Sequence, residues 1–219
     1  MNKVYLLFIT SFILSCSTPT DQLSGPELIR KSIEFHDPNQ LWPKLKATFK
    51  FIDSLPAPRE SRSYSVSFEN NLSKMVYRNT TLNYIVWNDS VQVFQGEIDN
   101  EQAIRMRNYY TYLWGLPMKL RDPATQIDQE VKREELNGNS YLVVRVPYEK
   151  DIWYFYINPE SFRMEAYKFY QDEPNQKGEI IYLDGLIEFK GLKIPANRTW
   201  YRTETPEFLG TDKLIQITE

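Results

Sequence analysis

An α+β fold, built as a strongly curved antiparallel sheet (a half-open barrel) with two or three helices over its concave face, is predicted by three features of the chain. Period-two alternation recurs in short runs along most of the sequence, helical periodicity is confined to two stretches, and large rings are in excess, with fifteen Tyr, twelve Phe and five Trp against eight Gly. A sheet of that many strands must curl, and a curled sheet faced by helices leaves space between its layers.

At the amino end Lys3 precedes an apolar run from Val4 to Leu14 that closes in Ile13-Leu14-Ser15-Cys16. The run is too short for a membrane-crossing helix of about 20 residues and fits the apolar core of a secretory signal. It resembles the lipobox of bacterial lipoproteins, which implies that residues 1–15 are a signal peptide and that Cys16 becomes the lipidated first residue. Each buried methylene of such an anchor contributes about 0.8 kcal/mol. Residues 16–23, polar and carrying Pro19, read as a lipidated tether, and residues 24–219 as a single domain. Ser17 fits sorting to the outer membrane, facing the periplasm.

Ser24 and Glu27 form an S-x-x-E capping box with Pro26 in the first turn, and Leu28, Ile29, Ile33 and Phe35 supply an apolar face until Asp37-Pro38 stops the helix. Alternation then marks strands at Leu45 to Phe51, Tyr64 to Phe68, Lys74 to Arg78, Leu82 to Trp87 and Val91 to Phe94, a meander. A second helix follows from Asp99 or Asn100 to Leu113, with Ala103, Met106, Tyr110, Leu113 and Trp114 on one stripe and Gly115 and Pro117 at its end. Eight further strands are expected, at Gln129 to Leu136, Tyr141 to Val146, Ile152 to Ile157, Arg163 to Tyr170, Gly178 to Leu183, Leu186 to Phe189, Thr199 to Thr203 and Leu214 to Thr218. Asn137-Gly138 is the strongest hairpin signal among them. The run Ile152 to Ile157 is apolar on both faces, so both sides of the sheet need cover there.

The formal charge of −3 becomes one unit more negative without Lys3, and no basic stripe is visible, so nucleic acid is excluded as a partner. Cys16 is the sole cysteine and His36 the sole histidine, which removes disulfide frameworks, cysteine-rich or multi-histidine metal sites and H-E-x-x-H hydrolases. No cofactor is expected: G-x-G-x-x-G, P-loop and G-x-S-x-G patterns are all missing from the sequence. His36 is read as a packing and capping residue at a helix C-terminus, where the dipole favours a cation by about 0.3–1 kcal/mol. Glu130 and Glu188 are a carboxylate pair that could flank a glycosidic bond if folding brought them together. The candidate ligand-binding set is apolar: Met106, Tyr110, Leu113, Trp114, Leu116 and Met118 from the helix and its exit, with Trp87, Phe94, Trp153 and Phe155 from strands. The alternative for each of them is plain core.

The order of signal, short helix, meander, central helix and long run of hairpins resembles the LolA/LolB-like fold. Phe35-His36-Asp37-Pro38 with Trp42, the stretch Tyr109 to Leu120, Asp151 to Ile157 and Gly191-Leu192-Lys193-Ile194-Pro195 resemble an uncharacterised lipoprotein family of Bacteroidetes. The resemblance implies acyl-chain binding in an aromatic-lined, half-open barrel. The expectation is therefore a non-enzymatic lipoprotein of the bacterial envelope that binds a lipid or an acylated protein without altering it. An interaction module with a self-filled core is the alternative, followed by a carboxylate-dependent hydrolase.

Overall fold

The computed structural model describes residues 23–219, so Cys16, the expected signal and all of the tether but Leu23 lie outside the described residues. Two α-helices, α1 (Gly25–His36) and α2 (Asn100–Trp114), accompany fourteen strands: β1 (Lys46–Ser54), β2 (Ser63–Glu69), β3 (Lys74–Arg78), β4 (Asn83–Trp87), β5 (Ser90–Gln95), β6 (Val131–Leu136), β7 (Asn139–Pro147), β8 (Ile152–Ile157), β9 (Met164–Asp172), β10 (Lys177–Asp184), β11 (Ile187–Phe189), β12 (Leu192–Ile194), β13 (Asn197–Arg202) and β14 (Phe208–Thr218). Twelve strands form one antiparallel sheet in the order β5-β4-β3-β2-β1-β14-β13-β10-β9-β8-β7-β6, while β11 and β12 pair separately. The main sheet is not closed, since β5 and β6 end it on opposite sides.

Curvature follows from what α2 touches. The helix packs on β4 and β5 at one edge, and its Tyr112 ring lies 5.4 Å from Trp153 on β8, nine strand spacings from β5. Flat, those spacings would cover about 43 Å, whereas α2 is about 22 Å long. The sheet therefore wraps around the helix, as the sequence predicts.

One face carries the main core. Across the meander, Phe51, Tyr64, Tyr77 and Tyr84 stack in succession with centroids 5.0, 5.6 and 5.4 Å apart, and Tyr110 of α2 lies within 6.5 Å of the first three. Among the described residues, the opposite face of β8 carries strand side chains rather than a helix. A second, smaller cluster of Tyr141, Val143, Tyr156 and Ala166 lies there, with Lys168 Nζ 5.0 Å above the Tyr154 ring. Tyr156 donates to Glu134 at 2.7 Å, so these rings keep their polar ends satisfied at the surface.

The local signals act as their chemistry requires. Ser24 donates its N–H to Glu27 Oε2 at 2.9 Å, and Asp99 Oδ1 accepts from Gln102 N–H at 2.8 Å at the start of α2. Asn137 and Gly138 both have positive φ, 51° and 77°, as a tight hairpin turn demands. At Gly115 a Cβ would lie 2.6 Å from Trp42 Nε1 and 2.5 Å from the Thr111 carbonyl, so only glycine fits where α2 ends. The sequence pattern does not mark β12, a three-residue strand whose only partner is equally short.

Phe35 is half-buried and leaves the inner stripe to Ser32 and His36. His36 is fully buried and neutral, not the cation that the helix dipole favours. Its Nδ1–H donates to the Lys193 carbonyl at 2.7 Å and its Nε2 accepts from Met164 N–H at 3.1 Å, tying α1 to β12 and β9. Burial is the largest cause that lowers its pKa, to about 4. The Asp37 carboxylate accepts from Leu41 and Trp42 N–H groups at 2.7 and 2.9 Å and turns the chain toward β1.

Because the folded pKa of His36 lies below its usual 6.5, the unfolded chain binds the extra proton between that value and about 4. Stability must then fall as pH falls through this window, by about 3 kcal/mol for the full difference. Urea denaturation of the protein and of His36→Gln should diverge in pH slope there, with contributions from other groups cancelling between the two. Equal slopes would show that His36 is not buried neutral.

Candidate functional site

Strand register places one row of side chains across the inner face. Trp153 pairs with Phe169, Phe169 with Glu179, and Glu179 with Arg202, so β8, β9, β10 and β13 present them side by side. One level deeper the row reads Phe155, Tyr167, Ile181, Trp200 and Gly210. Deeper again, Leu183, Arg198 and Asp212 are partners. Above these rows Tyr109, Tyr112 and Leu113 of α2 leave a cleft of about 770 Å³, whose lining is completed by Leu55, Arg59 and Leu209 among others. Trp153 and Phe169 stack with centroids 4.8 Å apart, and Tyr109 stacks on Trp200 at 6.2 Å.

The walls are aromatic, and acids outnumber bases among the charged groups, with Asp151, Glu179, Glu207 and Asp212 against Arg59 and Arg202. Burial raises the pKa of Asp151, Glu179 and Asp212, opposed by Lys150, by Arg202 and by the Trp200 hydrogen bond respectively. Asp212 Oδ2 accepts that bond from Trp200 Nε1–H at 3.0 Å. Arg202 is engaged by Glu207 at 2.8 Å, and Arg59 donates to the Leu209 carbonyl at 2.7 Å. Such a cleft favours an apolar body and opposes an anionic end. Among the described residues no group of three or more His, Cys, Asp or Glu could hold a metal ion, and no helix is long and apolar enough to cross a membrane.

Of the residues singled out from sequence, Leu113 and Trp153 line this cleft. Tyr110, Trp114, Leu116 and Phe155 are buried in the core, Met106 is packed against it from its rim, and Met118 lines a second cleft on the other side of α2. Trp87 and Phe94 are 54% and 58% exposed on the outer strands and do not face the cleft, because Tyr84 and Val86 take the inward positions of β4. Glu130 and Glu188 are exposed on β6's approach and on β11 and do not share a cleft. Sequence reasoning does not find Phe169, Trp200, Glu179 or Asp212, although period two along β9, β10, β13 and β14 carried the signal once register was known.

It also does not find Arg198, which is 1% exposed. Its Nη2 donates to the Leu113 carbonyl at 3.0 Å, its Nη1 to the Pro195 carbonyl at 3.1 Å, and its guanidinium lies 3.6 Å above the Trp114 ring. Burial lowers its pKa, against the pull of Tyr167 and Asp212. Arg198→Ala removes the donor to the Pro195 carbonyl, leaves the Leu113 carbonyl to backbone N–H groups such as that of Leu116 at 3.4 Å, and opens a cavity, and should cost about 4 kcal/mol in urea denaturation. Because Arg198 lowers the pKa of Asp212, the same variant should move the Asp212 titration upward by NMR. Arg198→Lys, with one ammonium for two carbonyls and no plane to stack, should recover less than half of the lost stability. An unchanged denaturation midpoint would contradict this role.

A LolA superfamily protein from Nitrosomonas europaea superimposes with a TM-score of 0.56 at 10% identity, over 90% of this chain and 93% of that one. A DUF1329 family protein from Desulfovibrio piger does so with a TM-score of 0.54 at 7% identity, over 90% and 93%. At such identities the likeness establishes a LolA-like fold and nothing about activity. No curated protein matches the chain in sequence. Residues 2–216 match the model of DUF6503, a family of unknown function, and the chain belongs to that family.

Proposed function

We propose that the protein binds a hydrophobic ligand, an acyl chain of a lipid or of an acylated protein, non-covalently in the cleft between α2 and β8–β14, and that a lipidated Cys16 holds it at the bacterial outer membrane facing the periplasm. The observation that carries this reading is the 770 Å³ cleft walled by Trp153, Phe169, Trp200, Tyr109 and Tyr112. Its volume lies within the range of pockets that enclose small ligands. An acyl segment of ten methylenes would gain about 8 kcal/mol by leaving water, before the costs of ordering. The role is carriage without covalent change, with Asp151, Glu179 and Asp212 setting the polarity of the bound end. The LolA-like fold supports the reading by architecture alone.

A docking module is the second reading, favoured by the exposed Trp87 and Phe94 on β4 and on the edge strand β5. A fluorescent long-chain monoacylglycerol separates the two. The protein should bind it, and Leu209→Trp, which fills the cleft from its far wall, should weaken binding at least tenfold while changing the melting temperature little. The double variant Trp87→Ser, Phe94→Ser should bind as the parent does. No binding by the parent, or loss only in the double variant, would overturn the cleft as the site. Because the cleft carboxylates have raised pKa values, they discharge before ordinary acids as pH falls, so affinity for this neutral probe should increase on acidification until His36 protonates near pH 4. A pH-independent dissociation constant would show that these acids do not face the ligand.

A further inference from the structure

The second cleft, of about 640 Å³, lies on the other side of α2 and has the opposite charge. It is bounded by α2, by the 3-10 turn Asn70–Leu72 with Ser73 and Lys74, and by the turn Met118–Arg121. Lys74, Arg107, Lys119 and Arg121 line it against a single acid, Asp122, in a chain whose formal charge is −3. The ion pairs do not consume this excess. Lys119 holds Asp122, and Lys74 shares Glu69 with Lys46 at 3.4 and 3.3 Å. Arg107 and Arg121 have no carboxylate partner among the described residues. Arg107 donates Nη1–H to the Ser73 carbonyl at 3.1 Å and Nε–H to Asn108 Oδ1 at 2.8 Å, which fixes its plane and leaves Nη2 without a partner among the described residues. Among the described residues Arg121 makes only a long contact, 3.5 Å, to Gln40 Oε1.

Two guanidinium groups without acids, in a concavity that focuses their field, match the charge and fork geometry of a phosphoryl group. Trp42, Tyr112 and Met118 supply apolar wall beside them, so the space suits an ester better than the bare ion. We infer that this basic cleft is a binding site for a phosphate ester, with Arg107 and Arg121 as its anion-binding residues. It is separate from the proposed acyl site, with Tyr112 as the wall common to both clefts.

Two probes distinguish a soluble ester from a lipid headgroup: glycerol 3-phosphate and dihexanoyl phosphatidylglycerol, each titrated into the full chain by calorimetry. Binding of both with similar affinity means that the phosphoryl group suffices, and binding of the lipid alone means that a headgroup with its chains is the ligand. In either case Arg121→Gln should lower affinity about tenfold, Arg121→Lys should restore part of it, and raising ionic strength should weaken binding. Arg107→Gln should act likewise, but it also releases the Ser73 loop, so Arg121, exposed at the surface, is the deciding position. Leu209→Trp should leave phosphate affinity unchanged, whether or not it affects monoacylglycerol binding. The inference is overturned if neither probe binds, or if binding is indifferent to Arg121→Gln and to salt.

Discussion

The architecture depends on a buried cation. Arg198 is set into the sheet where α2 ends, and its two donors reach carbonyls from opposite sides, Leu113 on the helix and Pro195 before β13. A helix C-terminus leaves its last carbonyls without partners, and here a side chain rather than water supplies the donor. The same group lies on Trp114, which itself packs on Phe51 at 4.6 Å. One residue thus couples the end of the central helix to both halves of the sheet. Burying a charge without an ion pair is costly, and the lowered pKa of Arg198 registers that cost. Planar donors and an aromatic face beneath suit the position to arginine better than to lysine.

Fixing the end of α2 in this way shapes what lies beside it. The helix crosses a curled sheet, and its Tyr109, Tyr112 and Leu113 stand over rows of residues that β8, β9, β10, β13 and β14 bring into register. Where rings from both layers interlock, as around Tyr110 and Trp114, the interior is solid core. Where the layers diverge, toward Arg202 and Leu209, space remains. A half-open barrel of this kind is therefore part core and part cleft, and the boundary between them is set by which turn of α2 faces which strand.

That boundary explains what could be read from the chain and what could not. Helix limits, caps, the Asn137-Gly138 turn and thirteen of the fourteen strands follow from local patterns, because each depends on residues within a few positions of one another. Of the ten apolar candidates for ligand binding, eight lie in the core or against it, Trp87 and Phe94 are exposed, and Leu113 and Trp153 line the aromatic cleft. Whether a ring on α2 meets another ring or a gap depends on sheet curvature, a long-range property that no window of sequence carries. Trp87 and Phe94 show the limit most directly, since alternation places one residue of each pair inside but does not say which face is inside. Glu179, Asp212 and Arg198 were invisible for the converse reason. Each is a charged residue at an inward position, and a pattern based on hydrophobicity reads such positions as outward.

The two clefts differ in charge because α2 presents different faces to them. Positions 107, 108 and 111 look toward the basic turns, while 109 and 113 look toward the acidic strands, and 112 lies between. Tyr112 is not free to move at will: its hydroxyl pairs with that of Tyr148 at 2.7 Å and its ring meets Trp153 edge-on. Breaking that hydroxyl pair costs about 1 kcal/mol, far less than displacing a core ring such as Trp114. Tyr112 is thus held as the wall that both clefts share, next in sequence to Leu113, whose carbonyl Arg198 holds.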